Sequence, residues 1–335
     1  MFKIIQKRKI WLSFSGVMVV LSIIFLFLWG LNFGIDFTGG SLLEVEFEDR
    51  PTVIETQKSL EDLDLGSLII QPIGDRNMIL RFQNVSEEAH QEVLQKLRNL
   101  ASSPELEASE ENSADNNVEI ESDSTSSDSI AEIEAGDEAI SGLIEELRFD
   151  SVGPTIGEEL KRKSITAIVI VLVAIVLYIA WVFRKVSKPV ASWKYGISAI
   201  IALFHDIMIT LGVFAVLGEF FAIEINSAFV AAILTVLGYS VNDTIVVFDR
   251  VRENLPKSDE DFEGTVNISV NQTIKRSINT SVTTLLVLLS IFFFGGSSIR
   301  DFVLALSIGV FIGTYSSIFL ASPVLVVWER LMRRK

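Results

Sequence analysis

The sequence predicts a membrane α-helical protein with six transmembrane helices and a small α+β domain inserted after the first of them. The mean hydropathy of the 335 residues is +0.44, above that of an ordinary soluble domain. Six apolar stretches approach the roughly 20 residues that a helix needs to cross a bilayer: 10–30, 164–183, 195–217, 226–248, 281–295 and 302–328. The segment between the first two stretches instead contains runs in which apolar and polar residues alternate, as in half-buried strands.

The first and last spans carry features that the other four lack. The first is predicted to be a permanent anchor, because it is full length and no A-x-A cleavage site precedes Asn32. The sixth is long enough to tilt or bend, and Pro323 is placed to end or kink it.

The positions of Lys and Arg predict that both termini are cytoplasmic. These residues cluster in 3–9, 184–194, 250–276 and 330–335, whereas the turns 218–225 and 295–301 are acidic or nearly neutral. One basic cluster, at 161–163, falls on the opposite side, but long translocated domains are largely exempt from the rule. The predicted division is 1–30, cytoplasmic N-terminus and first helix; 31–163, extracytoplasmic domain; 164–328, helices two to six; and 329–335, basic cytoplasmic tail.

The extracytoplasmic domain is predicted to have the order strand, helix, strand, strand, helix, strand. The expected strands are 43–47, 67–73, 78–82 and 143–152; one helix follows Pro51 over 52–63, and a second opens at Ser86. Glycines at 34, 39 and 40 are expected to permit turns before the first strand. This order is the split βαβ, or ferredoxin-like, arrangement.

An acidic insert interrupts the last crossover of that domain. Residues 99–147 hold 15 of the 43 acidic residues and neither Lys nor Arg, so the rest of the chain carries 28 charges of each sign. The net charge of −15 is therefore local, and no nucleic-acid partner is expected. Residues 101–141 are predicted to be disordered, either as a solvated insert or as a binding site for a basic partner.

The composition argues against several classes of enzyme and metal site. The chain has no Cys, which excludes a disulfide framework and a thiol nucleophile. Its two His residues show no clustered metal-ligand spacing, so no structural zinc is expected. The external domain has no phosphate-binding glycine loop and no nucleophile elbow. We predict no enzyme activity and no cofactor, and we expect this domain to contact another chain.

Asp243 is the most informative residue in the predicted spans. It lies within GYSVNDTIVVFDR, at 238–250, in an otherwise apolar run. An Asp at the centre of a spanning helix costs roughly 2.5 to 3.5 kcal/mol, so such residues usually face the interior of a bundle and have a partner. Asp243 either joins two helices or carries protons or ions. Asp249 and Arg250 are predicted to be ordinary interfacial charges.

Two further ionisable residues, His205 and Asp206, lie midway along the third span. Neighbouring side chains on a helix point about 100° apart, so both face inward only across a wide polar interface. His residues titrate near neutral pH. The pair is either part of a proton pathway or a hydrogen-bonded lock between helices.

Arg276 is the predicted cationic partner of Asp243. It is expected to open the fifth span near the inner third of the membrane, followed by a polar stripe at Asn279, Thr280, Thr283 and Thr284. The alternative is that Arg276 extends to lipid phosphate at the membrane surface.

Five motifs together resemble the SecD/SecF family of the bacterial Sec protein-export machinery. They are GIDFTGG at 34–40, VGPTIGEEL at 152–160, the His205-Asp206 pair, GYSVNDTIVVFDRVREN at 238–254 and RSINTSVTTL at 276–285. The match covers all six spans and both edges of the external domain. The form VNDTIVVFDR resembles the SecF branch more than the SecD branch, which is longer externally.

The resemblance implies a fold like half of a resistance-nodulation-division transporter in the inner membrane of a bacterium, with SecD supplying the other half. It also implies that the proton-motive force is used to assist export of preproteins driven by SecA through SecYEG, with YidC as a further candidate partner beside membrane lipids. Asp243 and Arg276 match the proton-pathway carboxylate and its arginine in the family, and His205 and Asp206 are carried over as additional members. The acidic insert departs from the compact external domain of the family.

Two other functions remain open on the sequence. One is a non-transducing scaffold that stabilises the translocon, with Asp243 joining helices. The other is a half-subunit of a proton-driven exporter of small molecules or lipids, against which GIDFTGG and VNDTIVVFDR argue.

Overall fold

The computed structural model describes residues 2–102, 144–182 and 192–333. In chain order the elements are α1 (Arg8–Leu28), α2 (Ile35–Thr38), β1 (Gly40–Phe47), α3 (Val53–Ser59), β2 (Ile69–Ile73), β3 (Asn77–Phe82), α4 (Glu87–Ser102), β4 (Ile144–Val152), α5 (Pro154–Val182), α6 (Ser192–Phe221), α7 (Ser227–Asn254), α8 (Phe262–Phe294), α9 (Ser297–Ser316), a π-helical turn (Ser317–Ala321) and α10 (Ser322–Arg333). They divide into two compact units, Met1–Gly34 with Leu160–Lys335, and Ile35–Glu159. From residue 103 onward the predicted acidic insert lies outside the described residues.

The predicted spans are confirmed: six helices of the described chain are long and apolar enough to cross a membrane. The last combines α9, the π-helical turn and α10. Helix α6, helix α7 and this composite helix are the most buried, whereas α1, α5 and α8 leave most of their apolar surface exposed. The interior helices α6 and α7 carry His205, Asp206 and Asp243, whereas Arg276 lies on α8.

The predicted start of the fifth span is wrong, because α8 begins at Phe262 instead of 276–281. Asp261 caps this helix by accepting a hydrogen bond of 2.8 Å from the backbone N–H of Gly264. Hydroxyls such as Ser269 then donate to carbonyls one turn back, so a polar stretch continues the helix. Hydropathy detects only the apolar part of such a helix.

Helix α5 also begins earlier than predicted, at Pro154. Proline suits the first position of a helix, since the amide hydrogen that it lacks would have no helical acceptor there. Near the other end of the chain, Pro323 does not end the sixth span. The π-helical turn lies just before Pro323, which lacks an amide hydrogen and therefore removes one hydrogen bond from the helix. Helix α10 nevertheless continues to Arg333.

The second unit contains a four-stranded sheet in the order β2-β3-β1-β4, with every neighbouring pair antiparallel. This confirms the predicted split βαβ order. Leu43 lies opposite Leu80 and Val45 opposite Met78, and these four side chains are fully buried in one core. The alternation predicted strand β1 and its apolar core face correctly, but the prediction of a half-buried strand is wrong, because Glu44 on the other face is also buried at 5% exposure.

The GIDFTGG segment holds a one-turn helix, α2, where only turns were expected. The glycines that follow it are required: Gly39 and Gly40 have φ values of 74° and 122°, which residues with a side chain rarely adopt. A Cβ on Gly40 would also lie 2.8 Å from the carbonyl oxygen of Phe82. Helix α3 is shorter than predicted and is capped by Thr52 in a capping box with Glu55.

Candidate functional site

Helix α6 places His205 and Asp206 inside the helical unit, where the exposed fractions are 2% and 0%. Their side chains contact each other, with His205 Nδ1 3.0 Å from Asp206 Oδ1. Both residues lie near the middle of α6, since Asp206 is 15 residues, or about 22 Å of helix, from Phe221. The predicted pair is therefore buried and hydrogen-bonded.

Asp206 connects three helices. Its Oδ2 accepts a hydrogen bond of 2.5 Å from Ser240 on α7 and another of 2.8 Å from Ser316 on α9. Both serines are almost completely buried. We call Asp206, His205, Ser240 and Ser316 the Asp206 cluster.

Close packing of α7 and α9 makes these contacts possible. Gly309 and Gly313 form a G-x-x-x-G motif on α9, which lets two helix backbones approach closely. A Cβ on Gly309 would lie 2.3 Å from Cγ2 of Val236, and one on Gly313 would lie 2.9 Å from Cβ of Ser240. The two glycines thus seat α9 directly against the turn of α7 that carries Ser240.

Further contacts extend the Asp206 cluster along the same interface. Ser317 donates to the carbonyl oxygen of Ser240 at 3.2 Å, and its hydroxyl is 2.9 Å from that of Thr244. At the α6 end of the cluster, the ring of His205 stacks on that of Tyr315 on α9, with 6.1 Å between their centroids. Hydroxyl contacts therefore continue along α7 on both sides of Asp243.

Asp243 lies three residues after Ser240 and is also buried, with 7% of its surface exposed. Its carboxylate interacts with the hydroxyl of Ser277 and, electrostatically, with the guanidinium of Arg276, both on α8. In the described part of the chain, however, neither Asp243 Oδ2 nor Ser277 Oγ has a partner in hydrogen-bond geometry. Because buried polar atoms rarely lack partners, Asp243 differs sharply from Asp206.

Arg276 lies at the depth of Asp243 but does not form the expected direct ion pair. Asp243 is 16 residues from Ser227 and Arg276 is 18 residues from Phe294, so both are about 24 to 27 Å from the same side of the bundle. Among the described residues, no ion pair within 4.0 Å contains either of them. The Arg276 side chain is exposed, and it acts on Asp243 at longer range.

Most of the polar stripe predicted on α8 is exposed, and a second set of polar residues on the same helix faces inward. Asn279, Thr280 and Thr283 are exposed, whereas Ser277 and Ser281 face inward. The Ser281 hydroxyl lies 2.5 Å from that of Thr314 on α9. The inward serines lie next to the predicted stripe, and sequence reasoning did not select them.

At the end of α7, Asp249 pairs with Arg252, and Arg250 contacts Glu253 at 2.6 Å. These side chains are exposed to a large extent, in keeping with ordinary interfacial charges. Within the described residues, no group of three or more His, Asp or Glu side chains is arranged to hold a metal ion.

The sequence did not single out Ser316, and although Ser240 lies within the motif at 238–250, its bond to Asp206 was not predicted. Single serines in apolar helices carry little signal, and Ser316 is 110 residues from its partner Asp206. The G-x-x-x-G motif at 309–313 was the available indication that α9 packs closely against another helix.

Comparison with known proteins identifies relatives over the whole chain. Residues 133–331 match the family described as protein export membrane protein SecD/SecF, C-terminal, and residues 24–49 match the SecD/SecF GG motif. A protein translocase subunit SecF from Thermobaculum terrenum is 41% identical, with 100% of this chain and 98% of the relative covered. A SecF from Anaerolinea thermophila is 35% identical, with 98% and 94% covered.

Two crystal structures show the same similarity in three dimensions. SecDF from Thermus thermophilus, described as a translocon-associated membrane protein, is 30% identical with a TM-score of 0.74, and the match covers 98% of this chain. SecDF in a super-membrane-facing form is 30% identical with a TM-score of 0.61 over 99% of this chain. In each case this chain spans 39% of the SecDF chain.

Proposed function

The chain belongs to the SecD/SecF family of protein-export membrane proteins, and on that premise we propose that it is a SecF-type subunit that works with SecD to couple the proton-motive force to preprotein export. It is a multi-pass membrane protein of the bacterial inner membrane, as its six spanning helices and SecF relatives indicate. Its role is transport and not catalysis. Both termini are cytoplasmic and the sheet-containing unit is external in this proposal, as the distribution of Lys and Arg indicates.

The observation that carries the proposal is the state of Asp243. This carboxylate is buried in a membrane-spanning helix, and its Oδ2 has no hydrogen-bond partner in the described chain. Arg276 acts on it electrostatically without a direct ion pair. A group in this environment can gain or lose a proton without first breaking a strong local bond.

Protonation of Asp243 removes the negative charge on which Arg276 acts. Moving one elementary charge across 100 mV releases about 2.3 kcal/mol, enough to change the preference between two helix arrangements. The backbone contact of α7 with Gly309 and Gly313 leaves little room for local adjustment. We expect the helices to respond as packed bodies, and their movement to be passed to the external unit.

The exposed face of α8 supports a SecD-type partner. Asn279 is exposed together with Thr280 and Thr283 on α8, before the apolar stretch that ends the helix at Phe294, and Arg276 lies one turn before Asn279. Polar side chains at membrane depth usually face another protein surface or water, because lipid offers them no hydrogen bonds. A second helical half covering this face would provide them with partners. SecYEG, SecA with its preproteins, and YidC are the wider assembly in this proposal.

The test is preprotein export in inverted membrane vesicles that contain the complex with SecD, measured with and without a proton gradient. Asp243→Asn is expected to abolish the gradient-dependent part of export while SecD still co-purifies, because an amide cannot titrate. Asp249→Asn is the matched control, since it makes the same substitution at an exposed site on the same helix. Gradient-dependent export by Asp243→Asn at the normal rate would refute the proton role and favour a scaffold.

A further inference from the structure

We propose that Asp206 is a positioning residue for Asp243: a fixed buried carboxylate that sets the register of α7 against α6 and α9, and not a second proton carrier. The proposal rests on the proposed function, in which Asp243 is the group that exchanges a proton. It assigns different roles to two aspartates that the sequence places in the same polar interior.

Asp206 is fully engaged in hydrogen bonds. Both of its oxygens are engaged: Oδ1 with His205 Nδ1 at 3.0 Å, and Oδ2 with the hydroxyls of Ser240 and Ser316 at 2.5 and 2.8 Å. A carboxylate accepts from all of these donors at once, and these bonds compensate for burial at 0% exposure. Adding a proton to Asp206 would replace an acceptor with a donor and disturb these three contacts. The buried atom of the cluster that lacks a hydrogen-bond partner among the described residues belongs to His205, at Nε2, and not to Asp206.

Asp243 differs from Asp206 in its hydrogen bonding. That residue is buried as well, yet its Oδ2 lacks a hydrogen-bond partner in the described residues. Where two titratable groups share a site, the difference between their surroundings separates their roles. Asp206, whose two oxygens both have hydrogen-bond partners, suits a permanent contact. Asp243, whose Oδ2 has none in the described residues, suits proton exchange.

Ser240 connects Asp206 to the turn of α7 that carries Asp243. Ser240 bonds to Asp206, touches the close-packed Gly313 and lies one helical turn before Asp243 on α7. Because the turns of a helix move together, holding Ser240 also fixes the position of Asp243 relative to Ser277. Ser316 extends the same restraint to α9. Among the described residues, the contacts of the Asp206 cluster bring in two titratable groups: His205, on the same helix as Asp206, and Tyr315 on α9, whose ring stacks on that of His205. Asp243 lies one helical turn beyond Ser240 on α7.

Two substitutions of Asp206 distinguish positioning from proton transfer. Asp206→Asn cannot titrate but keeps one acceptor and one donor group of the same shape, and serine hydroxyls can reorient to match. In Asp206→Leu, the leucine side chain is similar in size to that of aspartate and forms no hydrogen bonds. In the vesicle export assay we expect Asp206→Asn to retain gradient-dependent export at a reduced rate, and Asp206→Leu to lose it.

Two results would overturn the proposal. If Asp206→Asn loses gradient-dependent export as completely as Asp243→Asn, Asp206 is itself a carrier. If Asp206→Leu keeps normal export, Asp206 positions nothing that matters. Neither result would restore or remove the role of Asp243, which its own Asn variant tests separately.

Two milder variants keep the proposal testable if Asp206→Leu misfolds. Ser316→Ala removes one donor from Asp206, and we expect gradient-dependent export to fall about tenfold, the factor corresponding to one hydrogen bond to a charged acceptor. We also expect its pH midpoint to move, because Asp243 loses its fixed position. Ser307→Ala is the matched control: this buried serine of α9 donates to the carbonyl oxygen of Val303 in its own helix at 2.8 Å. Equal export and equal pH midpoints for the two variants would contradict the positioning role.

Discussion

Replacing Gly309 with alanine tests whether the close approach of α7 and α9 holds the candidate site together. The new Cβ would lie 2.3 Å from Cγ2 of Val236, which is 1.1 Å less than the 3.4 Å at which ordinary contact begins. Val236 is 2% exposed, and its branched side chain has few alternative rotamers in a helix. The overlap is therefore relieved mainly by separating the two helices.

The expected size of the effect follows from two opposing contributions. Overpacking of a buried site typically costs about 1–3 kcal/mol. Alanine is favoured over glycine in a helix by roughly 0.5–1 kcal/mol. We therefore expect Gly309→Ala to lower the free energy of unfolding by roughly 0–2.5 kcal/mol, with about 1 kcal/mol near the middle of that range. Separation of α9 from α7 by 1.1 Å would also lengthen the 2.9 Å contact between the hydroxyls of Thr244 and Ser317 to about 4.0 Å, beyond hydrogen-bond geometry.

The assay is unfolding of the detergent-solubilised chain by a denaturing detergent, followed by fluorescence of its five tryptophans. Gly238→Ala is the control, because a Cβ on that helical glycine of α7 would meet no atom within 4 Å. It should be neutral or stabilising by roughly 0.5–1 kcal/mol. Equal stability of the two alanine variants would refute the close packing of α9 on α7.

Three further predictions concern other parts of the chain. Thr52→Ala should destabilise the sheet-containing unit by about 1 kcal/mol through loss of the α3 cap, as measured by urea unfolding; a change as small as that of the exposed control Ile54→Ala would contradict it. Hydrogen bonds from the backbone N–H and hydroxyl of Thr52 lower the pKa of Glu55, so its contribution is present above the unfolded pKa and disappears as the pH falls through the folded pKa. Glu55→Gln should therefore destabilise at pH 7 and have less effect at pH 3; an equal effect at both values would exclude the charge as the cause. Glu263→Gln should destabilise the helical unit by about 2 kcal/mol, since this carboxylate contacts both Arg8 and Arg330 at 2.6 Å. The comparison is Glu253→Gln, whose partners are exposed, and equal losses for both variants would contradict the prediction.

The sequence by itself determined the elements whose signal is local. Six apolar runs predicted the six spans, and the alternation of Leu43 and Val45 with glutamates predicted strand β1 and its apolar core face, although not the burial of Glu44 on the other face. The order of strands and helices was enough to predict the split βαβ sheet. The cost of a carboxylate in an apolar run was enough to select Asp243, His205 and Asp206 as residues that face the interior.

Only the tertiary structure decided which polar groups meet. Asp206 receives hydrogen bonds from residues 34 and 110 positions away, and those contacts depend on how closely α6, α7 and α9 pack. The length of α8 was also hidden, because its first turns are polar and are stabilised by capping and backbone hydrogen bonds instead of hydropathy. Periodicity reports which face of one helix is buried, but the distance between two helices depends on side chains from both. For that reason the difference between the saturated Asp206 and the unpaired Asp243 oxygen could be found only in three dimensions.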